Sequence, residues 1–355
     1  MNSSKDYQAM SDKPLVLIIS PASAKANNGN WQTASRWQRF VRERYRVRLL
    51  DTWDGQPQAD AMIALHARRS APAIHAWSRR QPDAPLILVL TGTDLYRDIH
   101  TSDDARHSLA MASHLVVLQE AGLGQLPCAM RAKTSVIYQS APALAPSQAR
   151  AAGTPFTVVM IGHLREEKMP ATYMQAAQLL KASEVRLLHI GHALDVGLAN
   201  LAASTAAACP HYEWLGGLPH PRTRRILADS DLMVIASNME GGANVIIEAV
   251  TSGVPVLASD IDGNRGMLGC DYAGYFPLGD SAALALLIGR VHGDSAYREQ
   301  LHRQCQQRAL LFAPAREQAG VLELLDNALP MPHSMPHSLP HPNPIPRTFP
   351  ASEQD

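Results

Sequence analysis

Cysteine is scarce. Cys128, Cys209, Cys270 and Cys305 stand far apart in 355 residues, with no Cys-x-x-Cys pair and no Cys/His ligand spacing. That argues against a disulfide framework or a zinc site and fits reduced thiols in a cytosol. An excess of charge of one sign is also missing: 32 basic and 32 acidic residues cancel, so nothing in the balance draws the chain to nucleic acid or to an anionic membrane. Lysine is rare, at positions 5, 13, 25, 133, 168 and 181 only. No apolar run approaches the roughly 20 residues of a membrane span, and residues 1–13 are polar, without a secretory pattern. The expectation is a soluble, cytoplasmic protein without membrane or nucleic-acid partners. What is present is 46% apolar and 18% charged sequence, enough at this length for two domains with a core each.

Short apolar runs alternate with helical patterns twice over. PLVLIIS, YRVRLL, AMIALH, LILVLTGTD, HLVVLQ and SVIYQSA read as strands within residues 14–141, with WQTASRWQRFVRER, SAPAIHAWSRRQ and DARHSLAMAS as helices between them. Residues 142–155 are Ala/Pro/Ser/Gln-rich and aperiodic, a linker. The alternation restarts at FTVVMIG and runs to residue 314, and a last helix spans 315–329. The prediction is α/β: two Rossmann-like domains with parallel sheets and right-handed crossovers, whose ligands sit at the carboxyl ends of the strands. Residues 1–13 are expected to be flexible. The tail 330–355, with its MPHS-MPHS-LPHP repeat, cannot build a core, and His333, His337 and His341 there read as solvated rather than metal-binding.

The stretch that organises the chain is SNMEGGANVIIEAVTSGVPVLASDIDGN, residues 237–264. A glycine loop, Gly241 and Gly242 with Ala243 and Asn244, opens a helix that carries Glu248 about two turns in. Such a loop presents backbone N–H groups at a positive helix end, which suits phosphate or sugar hydroxyls. Glu240 and Glu248 can accept hydrogen bonds from a polyol. GHLREEK (162–168) follows the first strand of the second half and supplies Gly162, His163, Arg165 and Lys168, where cations can stabilise a departing diphosphate. The Asp229-Ser230-Asp231 triplet falls at a helix-to-strand junction and reads as capping. In the first half, four polar clusters end successive strands: Asn27-Asn28-Gly29-Asn30 with Trp31 and Thr33; His66 with Arg68 and Arg69; Thr91-Gly92-Thr93-Asp94 with Arg97; and Gln119. Each alone is an ordinary turn or cap, but together they line one rim.

The spacing Glu240, seven residues, Glu248, Ala, a small residue, Gly253, x, Pro255, Val256 resembles the donor motif of retaining-type glycosyltransferases of the GT-B fold. The resemblance implies two Rossmann-like domains facing each other across a cleft. It places Glu240 at the donor sugar, Glu248 at the nucleotide ribose, and Trp214 in the loop that packs the nucleobase, burial of Trp214 in the core being the other reading. It implies no metal or other cofactor. The loop 162–168 departs from the family at His163, where that family carries arginine; Arg165 can stand in. The last helix commonly returns to the first domain in such proteins. The strings NNGNWQTASRWQRF, ALHARRS, LTGTDLYRDI, VVLQEAG and GHLREEK are similar to those of the selenosugar synthases of selenoneine biosynthesis, over roughly residues 14–328. That similarity implies UDP-N-acetylglucosamine as donor and selenophosphate as acceptor. The acceptor side is expected from the strand ends of the first domain, at Asn27, Asn28, Gly29, Asn30, Arg68, Arg69, Thr93, Arg97 and Gln119. The similarity further implies a link to a selenophosphate synthetase and a selenoneine-forming oxygenase. His66 or Asp94 is expected to assist removal of the phosphoryl group. A transferase with an oxygen or sulfur acceptor, and a nucleotide-sugar binder without turnover, are the competing readings.

Overall fold

In the computed structural model the described residues are 13–21, 29–147, 153–180 and 185–329. The segment before Lys13, Asn27 and Asn28 of the first glycine loop, residues 148–152 of the linker and the Pro/His tail from Pro330 lie outside them.

The first half builds one parallel sheet from β1 (Leu15–Ile19), β2 (Arg46–Leu50), β3 (Ala61–Leu65), β4 (Leu86–Leu90), β5 (His114–Val117) and β6 (Thr134–Val136), in the order β2-β1-β3-β4-β5-β6. β3 and β4 are almost wholly excluded from solvent, as their unbroken apolar runs require of strands covered on both faces. Helices α1 (Gly29–Val41), α2 (Ala71–Arg80) and α3 (Asp103–Met111) supply the covering layers. The run SVIYQSA pairs only at its start: the ladder ends at Val136, and Ile137–Ala141 continue as extended chain.

The second half repeats the plan with β7 (Phe156–Ile161), α4 (Pro170–Leu179), β8 (Val185–Ile190), α5 (Val196–Ala208), β9 (Tyr212–Trp214), α6 (His220–Ala228), β10 (Leu232–Ile235), α7 (Asn244–Thr251), β11 (Val256–Ser259), α8 (Asp262–Leu268) and β12 (Tyr275–Phe276). All pairs are parallel, in the order β12-β11-β10-β7-β8-β9. The order reverses direction beside β7, between β10 and β8, so the loops after β7 and β10 flank a topological switch point, where such sheets bind ligands. Those loops hold residues 162–168 and 236–243, the two strings that the sequence singles out. In the first sheet the corresponding positions are Gly29, the first residue of α1, and His66, after β3.

Helices α9 (Ser281–Gly293) and α10 (Ser295–Ala309) close the second core. Helix α11 (Pro314–Ala328) then packs on the first sheet, with Val321, Leu324 and Leu325 in one cluster with Trp37, Val41 and Ile63. Buried Glu317 anchors it: its carboxylate accepts from Arg36 Nε at 2.7 Å, Trp37 Nε1 at 2.7 Å and Ser140 Oγ at 2.6 Å. The Asp229-Ser230-Asp231 triplet does structural duty. Asp229 takes the Ser147 N–H and hydroxyl, and Asp231 the Thr157 N–H at 2.6 Å.

Candidate active site

The loop after β10 turns Glu240 back toward the loop after β7. Glu240 is 9% exposed, and its Oε1 accepts from Lys168 Nζ at 2.5 Å and from Ser237 Oγ at 2.6 Å. Lys168 ends a single 3₁₀ turn, Glu166–Lys168, and Met169 behind it adopts the left-handed conformation at φ 45° before α4 begins. That bend aims the lysine across the mouth of the sheet. Ser237, inside the organising stretch but not singled out by its pattern, orients the carboxylate from the other side.

Gly241 and Gly242 lie against the first sheet's rim. A Cβ at Gly241 would collide with the Thr91 carbonyl and stand 2.7 Å from the Gly92 nitrogen; one at Gly242 would lie 2.7 Å from Leu118 Cβ and 2.9 Å from Gln139 Oε1. Only glycine lets the two backbones approach this closely. Asn244 begins α7, and its side-chain nitrogen lies 3.4 Å from the Cβ position of Gly29, the first residue of α1. Two helix N-termini, one from each sheet, therefore meet at the loop that carries Glu240, and both favour negative charge. Because α7 starts only at Asn244, Glu248 stands one turn in rather than two. It is buried, and His220 Nε2, at the start of α6, donates to its Oε1 at 2.7 Å.

His163 stands in the loop after β7, at the position where the resemblance implies an arginine. Its Nδ1 accepts the His192 backbone N–H at 3.1 Å, and burial, then neighbouring His192, Arg165 and Lys168, hold its pKa below the usual imidazole range. Arg165 points to Glu167 at 3.9 Å, and Arg97 reaches the same carboxylate from the first sheet at 3.7 Å. Trp214 is half-buried and donates to the Gly191 carbonyl at 3.0 Å. It packs against the second core. Gly162 bonds the Ile190 carbonyl through its N–H.

The first-sheet clusters are tied together more tightly than their sequence suggests. Asp94 is fully buried: its Oδ1 accepts from the Thr91 and Gly92 N–H groups at 2.9 Å each, and its Oδ2 from the Ala67 N–H at 2.9 Å. His66, at φ 73° and 2% exposed, shares a hydrogen bond with Thr93 through Nε2 at 3.1 Å, while Nδ1 takes the Arg69 N–H at 3.4 Å. Burial lowers its pKa against the pull of Asp94, so the ring is neutral at neutral pH with the proton on Nε2. Arg68 and Arg97 converge on Asp98, at 2.7 and 3.2 Å. Burial opposes the charge on Asp98, but these two guanidinium hydrogen bonds outweigh it and the carboxyl titrates below its usual range. Gln119 is turned inward, donating to Tyr96 OH at 2.7 Å and accepting from the Gly122 N–H at 3.1 Å. Arg69 lines a cavity of about 310 Å³ with Pro21, Asp51, Thr52 and Ser70.

Besides Ser237, three contributors escape a reading by motif: His220, Asp98 and Gln139. Gln139 is 2% exposed and gives its Nε2–H to Thr33 Oγ1, which in turn donates to the Gly29 carbonyl. Its Oε1 is buried without a partner beside Gly242. A single polar residue inside the apolar run VIYQSA was its only signal. Among the described residues no group of three or more His, Cys, Asp or Glu side chains is gathered as a metal site, and no helix is long and apolar enough to cross a membrane.

Residues 145–308 match the family of glycosyl transferases group 1. A comparison with curated proteins finds no match. Among solved structures, HepE of Anabaena, in complex with UDP and glucose, superposes with a TM-score of 0.70 at 16% identity, over 88% of this chain and 100% of that one. Sucrose-phosphate synthase of Thermosynechococcus elongatus gives 0.71 at 16% identity, over 89% and 98%. The pneumococcal O-GlcNAc transferase GtfA, in complex with UDP and GlcNAc, gives 0.60 at 17% identity, over 75% and 57%. The expected architecture is borne out: the chain has the GT-B fold, and its residues 145–308 are matched by the glycosyl transferases group 1.

Proposed function

We propose that the chain is a glycosyltransferase that takes a UDP-sugar, UDP-N-acetylglucosamine in the first instance, and joins its anomeric carbon to the selenium of selenophosphate. The observation that carries the transferase reading is the cluster of Glu240, Ser237 and Lys168 at the switch point, beside two opposed helix N-termini and inside the segment matched by the group 1 family. The selenium acceptor rests on the first-half strings that resemble selenosugar synthases.

Donor binding releases Lys168 from Glu240. The lysine moves onto the diphosphate, whose charge is shared by the N–H groups of Gly242, Ala243 and Asn244 at the α7 N-terminus, with Gly162 and His163 beneath and Arg165 as the second cation. Glu240, freed on one oxygen and held by Ser237 through the same Oε1, accepts from the donor sugar hydroxyls, while Glu248 receives the ribose. Selenophosphate is a soft anion already deprotonated at neutral pH, so its capture calls for positive charge and N–H donors more than a general base. Arg68, Arg97 and the α1 N-terminus at Gly29 and Asn30 supply these. The C–O bond to UDP breaks as the C–Se bond forms. Water then cleaves the Se–P bond, giving the selenosugar and inorganic phosphate. His66, neutral and hydrogen-bonded to Thr93, is assigned to that second step, and Asp94 to holding the Thr91–Gly92 and Ala67 loops in place.

The test is mass spectrometry on the protein with UDP-N-acetylglucosamine and fresh selenophosphate. A selenium isotope envelope on an N-acetylhexosamine, with stoichiometric UDP release, is the expected result. UDP release without selenium in the sugar would replace the acceptor and keep the transferase. His66→Ala is expected to accumulate the phosphorylated selenosugar; release of free selenosugar at the parent rate would remove His66 from the second step.

A further inference from the structure

Glu248 and His220 are a pair that no family motif supplies. Glu248 sits one turn into α7 and is 9% exposed, so its carboxylate needs a hydrogen-bond partner or open water. His220 begins α6, immediately after the 214–219 loop, and its Nε2 lies 2.7 Å from Glu248 Oε1. The histidine side chain is 38% exposed and the glutamate side chain 11%, so the ring approaches from the open side. Among the described residues none hydrogen-bonds Glu248 Oε2, the bond from His220 going to Oε1. The carboxylate is thereby rotated and held, with one oxygen taken by protein and the other presented outward.

A carboxylate that binds two vicinal hydroxyls must be fixed in rotation, because each of its oxygens accepts along a defined direction. On a partly buried helix turn, the side chain without an anchor loses rotamer freedom on binding, and that cost comes out of affinity. From this geometry we infer that His220 is a positioning residue for nucleotide selection: it orients Glu248 toward the ribose hydroxyls and ties the 214–219 loop, at one end of the nucleotide, to α7 at the other. The inference rests on the proposed role of Glu248 at the ribose. It assigns to His220 no contact with the nucleotide and no part in the bond-making step.

Isothermal titration of the full chain with UDP and with 2′,3′-dideoxy-UDP tests it. The parent is expected to bind UDP more tightly by about 10- to 100-fold, the worth of one or two hydrogen bonds to a charged group. In His220→Ala that preference falls below about threefold, as rotational freedom returns to Glu248, while the affinity for 2′,3′-dideoxy-UDP stays within about twofold of the parent. His220→Gln, which retains an N–H donor of similar reach, keeps the preference within about threefold of the parent. Equal weakening of both ligands in His220→Ala, or an unchanged preference, overturns the inference; so does loss of the preference in His220→Gln. Glu248→Gln separates this from the reading beneath it. If that variant loses the preference and His220→Ala does not, Glu248 serves the ribose without help from His220. If the parent shows no preference, the ribose assignment itself falls and takes the inference with it.

Discussion

Lys168 and Glu240 hold each other at 2.5 Å with side chains only 19% and 10% exposed, so each is the other's main source of charge compensation. Removing one partner of a pair this sheltered leaves an uncompensated charge. Glu240→Ala is expected to abolish UDP release, lowering kcat by at least about 10³-fold, and Lys168→Ala to lower it by about 10²-fold, in line with the loss of one preorganised charge-stabilising group. Stopped-flow or coupled assay of UDP release reads both; a fully active Glu240→Ala would remove the donor-site assignment. A second residue acts on stability. His189 is wholly buried with Nδ1 at 2.9 Å from Tyr212 OH, and burial, against a backbone hydrogen bond with Gly162, pushes its pKa down to about 4. The unfolded chain therefore binds a proton at this site between pH 6.5 and 4 that the folded chain does not, and stability rises with pH across that window. Acidification from pH 7 to 5 is expected to cost about 2 kcal/mol through this one ring. Urea unfolding at the two pH values should show that loss in the parent, and a correspondingly smaller one in His189→Gln, which cannot titrate.

At the scale of elements, the strand runs and several helices are legible because their apolar periods are unbroken: the last helix, read over 315–329, stands as α11 within a residue at each end. What escapes the sequence is whatever depends on a distant partner. Helix α8 over Asp262–Leu268 contains two glycines, Gly263 and Gly266, and reads as loop; it forms because Asn264 is buried and bonds Ser259 through its side chain, and Tyr138 donates to the Gly266 carbonyl from the first half. The wide helical turn Asp94–Asp98 is likewise hidden, since it depends on Asp94 capturing three N–H groups from two loops. Both glutamates of the donor motif are legible by spacing, whereas Gln139, Asp98 and His220 carry no pattern. Helix α11 is held the same way, by a polar residue whose meaning lies 281 positions away in Arg36. Glu317→Ala leaves the Arg36 guanidinium and the Trp37 N–H without their acceptor, a change expected to cost about 3 kcal/mol. Denaturant midpoints compare it with Glu317→Gln, which preserves one acceptor and should lose less.

At the scale of the molecule, the two sheets meet through their functional loops. Gly241 abuts Thr91 and Gly92, Gly242 abuts Gln139, Gly29 faces Asn244, Arg97 reaches Glu167, and Gln125 donates to Asp262 at 3.1 Å. On the proposed function, these contacts part to admit a donor to the Lys168–Glu240 pair and re-form over it, and opening and closing then belong to turnover. Gly241 isolates that motion from binding. A Cβ there would strike backbone, the Thr91 carbonyl and the Gly92 nitrogen, rather than a side chain able to swing aside. The Glu240 side of the cleft stays intact, because the methyl group projects toward the first sheet. Gly241→Ala is therefore expected to bind UDP within about threefold of the parent, yet to lose about 10²-fold in kcat, the scale at which a misplacement of about 1 Å is felt in chemistry. Titration with UDP gives the first quantity, steady-state UDP release the second, and small-angle scattering with UDP bound should find the variant more open than the parent. A variant that closes and turns over normally would show that the glycine contact is incidental, and that the two halves assemble their site without the Gly241–Thr91 approach.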